Sequence, residues 1–213
     1  MEWDCMFGLM ATAPVYGLED FLRLLEDGDY YPYYSILLYT PENGLDKRLH
    51  EYVDQRWSFL NRLTGENSLL AALEDRDRDR SIADFRPEEV YDIARQLGVS
   101  VADLPALVFF TSPKERGDTL VLKLGDFLPR DVSDEGLTDF FRSLAALADR
   151  CATRDEADRL DCLRRHVADE WPEDSQWADR AKEVGGAVVV STTKAATVVQ
   201  ALSLIVKFFG SLG

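Results

Sequence analysis

Hydrophobic positions in this chain fall into short continuous runs separated by helical stripes. Residues 35–39 form an apolar run bounded by Thr40-Pro41, which predicts a buried strand. Residues 68–73 predict a second short strand. Between them, a long helix that ends near Gly65 is predicted by apolar residues at helical spacing: Leu45, Leu49, Val53, Trp57, Leu60 and Leu63.

The alternation continues further along the chain. Pro87 opens a helix with one buried face, and Gly98 ends it. Residues 104–110 and 119–124 predict two strands of a hairpin, and a helix beginning at Ser133 carries an apolar face as far as Cys151. The order strand, helix, strand, helix, strand, strand, helix predicts an α/β fold.

Helical patterns also flank this region. Residues 17–27 predict a short helix, and Leu160, Leu163 and Val167 mark a charged helix that ends at Trp171-Pro172. We therefore divide the chain into an N-terminal helical segment packing on the core, the α/β domain, and a C-terminal helical extension that ends in a strongly apolar helix. Their bounds are 1–29, 30–152 and 153–213, with the apolar tail at 184–213.

Composition and charge limit the classes of partner and the cellular location that we expect. The 213 residues are 46% hydrophobic and 30% charged, as in globular proteins, and the net charge of -15 argues against nucleic acid as a partner. After Glu183 the charged side chains are Lys194 and Lys207, so the tail is +2 and the rest of the chain is -17. Residues 1–10 contain no basic residue, and the three cysteines form no recognisable framework. We expect a reducing, cytoplasmic location, with membrane association through the tail as the alternative.

The element order over residues 34–151, with Leu104-Pro105 directly before the third strand, resembles the thioredoxin-like superfamily. The resemblance implies a central mixed sheet flanked by helices and a cis Leu104-Pro105 bond. It also implies a Cys-x-x-Cys pair after the first strand, but residues 40–47 contain no cysteine, and Gly44 and Lys47 stand at the two positions. What the resemblance retains is a groove for an extended peptide or thiol ligand, with the candidate residues Thr40, Asn43, Gly44, Leu104 and Pro105.

Other chemistry is weakly indicated. Cys151 and Cys162 are expected to be small core residues, and a reactive thiol or mixed disulfide is the alternative. His50 and His166 have no ligand cluster near them in the sequence, so no metal, cofactor or catalytic residue is expected. A glutathione transferase is disfavoured because the segment after Cys151 is short and residues 125–127 do not match that family's turn.

The apolar tail is long enough for a membrane span, which needs about 20 residues. Lys194 inside it would cost about 2.5 to 3.5 kcal/mol at the centre of a bilayer. The segment could pack on its own domain or a second copy, insert into a membrane, or dock into a groove of a partner protein. The candidate association surface consists of Val188, Lys194, Val199, Leu202, Ile205 and Phe209.

These patterns lead to one hypothesis and one alternative. The first is a redox-inactive thioredoxin-like binding or assembly module, without enzymatic activity, whose C-terminal helix mediates self-association or docking to a protein partner. The alternative is a membrane-directed effector with a soluble thioredoxin-like head and an inserting C-terminal helix.

Overall fold

A computed structural model describes residues 31–41, 44–64, 67–72, 87–111 and 119–169. In chain order the elements are β1 (Tyr33–Leu38), α1 (Gly44–Thr64), β2 (Ser68–Ala72), α2 (Pro87–Gln96), a 3-10 turn (Val101–Asp103), β3 (Ala106–Phe110), β4 (Leu120–Lys123), α3 (Leu124–Phe127), α4 (Asp134–Ala152) and α5 (Glu156–Asp169). The protein has a mixed α/β fold, as the hydrophobic pattern predicts.

The four strands form one sheet in the order β2-β1-β3-β4. Strand β1 is parallel to β2, with Tyr33 opposite Ser68, and antiparallel to β3, with Leu38 opposite Ala106. Strands β3 and β4 are antiparallel, which confirms the predicted hairpin. Strand β4 ends at Lys123 because the next residues form the short helix α3, whose Leu124 N–H donates to the Pro105 carbonyl at 2.8 Å.

The sheet is buried on both faces. All six residues of β1 are buried, which explains why that strand is a continuous apolar run rather than an alternating one. One face, including Leu37 and Phe109, packs in a cluster with residues of α1, α4 and α5. On the other face Tyr34 and Phe110 stack with ring centroids 5.6 Å apart. We assign α2 to this second face because its buried residues do not belong to the first cluster.

Arg48 of α1 contacts the N-terminus of α4. Ser133 caps that helix, accepting the Gly136 N–H at 3.1 Å. The Arg48 guanidinium donates to Asp134 at 2.6 Å and to Glu51 at 2.9 Å, and these two hydrogen bonds raise the pKa of Arg48. The α4 N-terminus is therefore fixed both by its own cap and by a side chain of α1.

Helix α5 packs on the same core as the sheet. Its Leu163 and Val167 are fully buried and belong to the cluster formed with α1 and α4. The Tyr33 hydroxyl at the start of β1 donates to the Arg159 carbonyl at 3.0 Å. The first part of the predicted C-terminal extension is thus continuous with the core of the domain.

Several predictions lie outside the described residues. These are the N-terminal segment 1–29 with its helix at 17–27, the apolar tail 184–213 with its association surface, and Asn43 of the candidate groove. Within the described ranges, no helix has the length and apolarity that crossing a membrane requires.

Candidate functional site

The predicted groove lies at the edge where β1 ends and β3 begins. Leu38 pairs with Ala106, so the residues that follow β1 and those that precede β3 lie at the same end of the sheet. Thr40 is 8% exposed, Pro105 is buried and Leu104 is half-buried. The Leu104–Pro105 bond is cis, which confirms that expectation. Thr40 thus follows β1 at the end of the sheet where Leu104 and Pro105 precede β3.

The start of α1 lies next to this edge and carries no thiol. The Thr40 N–H donates to the Asp46 carboxylate at 2.9 Å, which ties the end of β1 to the first turn of the helix. Gly44 has a φ of 54°, in the left-handed region, and is exposed. A Cβ on Gly44 would lie 3.8 Å from the Arg130 Cδ. A left-handed glycine thus stands at one of the two positions where the resemblance implies a cysteine, and the Asp46 carboxylate precedes the other position, Lys47.

The 3-10 turn that precedes β3 carries an exposed apolar side chain. The 3-10 turn is capped by Ser100, whose hydroxyl accepts the Ala102 N–H at 3.3 Å, and Asp103 pairs with Lys123 at 2.8 Å. Val101 in this turn is 42% exposed, and within the described ranges it is the one exposed large hydrophobic residue. We call Thr40, Gly44, Val101, Leu104 and Pro105 the β1–β3 edge.

A second site was missed by the sequence analysis. Cys151 at the end of α4 and Cys162 in α5 form a disulfide with a Cα–Cα distance of 5.7 Å. Their eleven-residue separation would span about 16 Å in a continuous helix, so the chain reverses at residues 153–155. Both residues are buried, as expected of core cysteines, but the expectation that they are unpaired was wrong.

His166 lies beside this disulfide. Its Nδ1 is 3.9 Å from the Cys151 Sγ, 3.8 Å from the Cys162 Sγ and 3.0 Å from the Cys162 carbonyl oxygen. The short distance to a carbonyl oxygen assigns a proton to Nδ1, since a carbonyl can only accept. The expectation that His166 belongs to no cluster was therefore also wrong.

One sequence signal could have indicated part of this group. Cys162 and His166 are one helical turn apart, so they lie on the same face of α5. Cys151 joins them only because of the turn at residues 153–155, which hydrophobic periodicity does not specify. The three residues have ligand atoms within 4.8 Å of one another, but sulfur atoms joined in a disulfide offer no thiolate to a metal.

His50 has a packing role in the structure. Its ring lies 5.9 Å from the ring of Tyr39, and His50 is not part of the Cys151, Cys162 and His166 group.

Comparisons of the whole chain with protein-family models, curated proteins and solved structures found no match.

Proposed function

We propose that this chain is a thioredoxin-like binding and assembly module without thiol chemistry at the position of the family's cysteine pair. The sheet supports this proposal, because β1 is parallel to β2 and antiparallel to β3, and the resemblance implies a central mixed sheet. The position of Pro105, directly before β3 and beside the end of β1, supports it further.

The observation that carries the proposal is the hydrogen bond between the Thr40 N–H and the Asp46 carboxylate. A helix N-terminus favours a negative charge, and in a redox-active module that charge would be a thiolate. Here Asp46 already supplies it in the first turn of α1. A thiolate next to this carboxylate would be repelled, so the arrangement is suited to holding the loop in place rather than to exchange chemistry.

The β1–β3 edge is the proposed binding surface for an extended segment of a protein partner. Pro105 and Thr40 are buried and give the edge a fixed floor, whereas Val101 projects into solvent. An exposed apolar residue beside a rigid backbone suits an extended peptide with an apolar side chain.

The assembly role rests on the sequence of the tail. Residues 184–213 combine an apolar character with a charge of +2, while the remainder of the chain is -17. A second copy of the chain therefore offers the tail both apolar contact and an opposite charge. Insertion into a membrane would instead place Lys194 in the bilayer at a cost of about 2.5 to 3.5 kcal/mol, so self-association is favoured over the membrane-directed alternative.

A dithiol-driven insulin reduction assay tests the absence of exchange chemistry. Without a thiol at the start of α1, the full-length protein should not accelerate insulin reduction above the rate with dithiothreitol alone. A catalysed rate would contradict the proposal. The C151S/C162S double variant is the matched control that shows whether such a rate arises from the α4–α5 cysteines.

A further inference from the structure

The Cys151–Cys162 pair lies away from the β1–β3 edge and has no part in the proposed binding function. We propose that Cys151, Cys162 and His166 form a reversible thiol–disulfide site that accepts electrons from a dithiol reductant. Its redox state determines whether a disulfide cross-links α5 to α4.

His166 is placed to assist this reaction. Reduction releases a cysteine as a thiolate, and burial makes an uncompensated thiolate unfavourable. The His166 Nδ1 carries a proton and lies within 3.9 Å of both sulfur atoms. That N–H donates to the Cys162 carbonyl while the disulfide is intact, so stabilising whichever thiolate leaves requires the imidazole to redirect it towards the sulfur atoms as the disulfide opens. In this proposal His166 stabilises the leaving thiolate directly.

Access to the sulfur atoms requires α5 to move, because Cys151 and Cys162 are 0% and 3% exposed. Leu163 and Val167 anchor α5 in the core, so the access that we propose is a local displacement of its first two turns, which breaks the Tyr33–Arg159 hydrogen bond, rather than release of the whole helix. Residues 153–155, which connect the two helices, are exposed. Cys162 belongs to the displaced part of the helix and is the less buried of the two cysteines, so we take its sulfur as the one attacked.

The reaction is a two-electron exchange. A thiolate of the reductant attacks the Cys162 Sγ, the bond between the two protein sulfurs breaks, and its electron pair passes to the Cys151 Sγ. The second thiolate of the reductant then attacks the reductant's first sulfur, which is bonded to the Cys162 Sγ. This step releases Cys162 as a thiolate and leaves the reductant as a cyclic disulfide. Each protein thiolate takes up one proton, so the dithiol is oxidised and the protein disulfide is reduced.

A metal ion held by two thiolates and the imidazole would use the same three residues. Binding through Nδ1 would require that nitrogen to lose its proton, and with it the hydrogen bond to the Cys162 carbonyl at 3.0 Å. The structure contains the disulfide and that hydrogen bond together, so we favour the redox site over the metal site.

Native-state reduction of the full-length protein tests the proposal. Protein purified in air is incubated with dithiothreitol in buffer without denaturant, quenched with acid and alkylated, and peptide mass spectrometry reports Cys5, Cys151 and Cys162 separately. We expect Cys151 and Cys162 to start as a disulfide, to be reduced faster than the protein unfolds globally, and to reoxidise when dithiothreitol is removed. Far-UV circular dichroism should retain the signal of the folded core throughout.

The two histidines provide a matched pair of variants. His166→Gln should slow native-state reduction by roughly tenfold because it removes the group beside the leaving thiolate. His50→Gln, which changes the other histidine of the chain, should leave the rate unchanged.

Three results would overturn the proposal: reduction only at the rate of global unfolding, an unchanged rate in His166→Gln, or purified protein that holds stoichiometric metal on free thiols. The comparison of reduction with unfolding uses the wild-type protein, so it decides the question even if His166→Gln does not fold.

Discussion

At the scale of single residues, Gly44 shows how the candidate site departs from a redox site. Its φ of 54° lies in the left-handed region, where a Cβ contacts the following carbonyl oxygen. A cysteine at this position would carry that strain, as would any residue other than glycine. The backbone at the start of α1 is therefore built around a glycine and the Thr40–Asp46 hydrogen bond.

We predict that Gly44→Ala lowers the free energy of unfolding by about 1 to 2 kcal/mol, because alanine is strained in the left-handed region. Gly125→Ala is the matched control, since Gly125 is exposed in α3 and an added Cβ there has no neighbour within 4 Å. Urea unfolding monitored by circular dichroism measures both variants. Equal losses in the two would contradict the role assigned to Gly44.

Among the residues that the structure describes, Tyr33 has an ionisation that is strongly coupled to folding. Its side chain is fully buried, and burial raises the pKa of its phenol well above the ordinary value of 10.0. The unfolded chain therefore releases this proton at a lower pH than the folded chain does. The stabilisation is complete below pH 10, and it declines as the pH rises from there towards the folded-state pKa.

We predict that the free energy of unfolding of the wild-type protein falls as the pH is raised above about 10. Tyr33→Phe should weaken that dependence, leaving the contributions of Tyr31 and Tyr52, whose pKa values burial also raises. At neutral pH the variant should lose about 1 kcal/mol through the missing hydrogen bond to Arg159. Urea midpoints across the alkaline range measure both effects. An identical pH dependence in the two proteins would refute this account of Tyr33.

At the scale of elements, the β1–β3 edge carries the binding proposal, and Val101 is the residue that tests it. We predict that panning a peptide phage library on the full-length protein enriches peptides with an apolar side chain. Val101→Asp should weaken their binding at least about tenfold, because it places a charge in an apolar contact. Arg142→Asp, at an exposed position of α4, is the control and should retain binding. Binding that Val101→Asp leaves unchanged would remove this edge from the account.

The same scale shows what hydrophobic patterns can and cannot predict. The apolar stripe from Leu45 to Leu63 predicted α1, and Ser133 predicted the start of α4, because periodicity and capping are local properties. The short helix α3 was missed, since four residues are too few to show a period. The disulfide was missed because it depends on the reversal at residues 153–155, which sets the positions of α4 and α5 relative to each other.

The candidate sites were also predictable to different degrees, because some depend on local sequence and others on how the elements pack. Thr40, Leu104 and Pro105 were grouped through the resemblance to the thioredoxin-like superfamily, and the β1–β3 pairing places them at the same end of the sheet. Asp46 and Arg130 entered the site only through side-chain geometry at the start of α1. The Cys151, Cys162 and His166 group depends on how two helices pack, which element order does not determine.

At the scale of the whole molecule, the chain combines an acidic α/β body with an apolar tail of opposite charge. The body has a core that extends from the sheet through α5, and its net charge is -17 without the tail. The tail carries the assembly proposal through Val188, Val199, Leu202 and neighbouring apolar residues. A liposome flotation assay addresses the membrane-directed alternative, which predicts that full-length protein floats with the vesicles.

The mass of the full-length protein in solution tests the central claim most directly. Size-exclusion chromatography with light scattering should give a multiple of the 24.1 kDa chain mass for the wild type. The V199K/L202K variant should shift towards the single-chain mass, because lysines replace apolar contacts, whereas Q200K adds charge at a polar position and should remain associated. A wild type that elutes at 24.1 kDa at tens of micromolar, or a V199K/L202K variant that associates as the wild type does, would contradict the account.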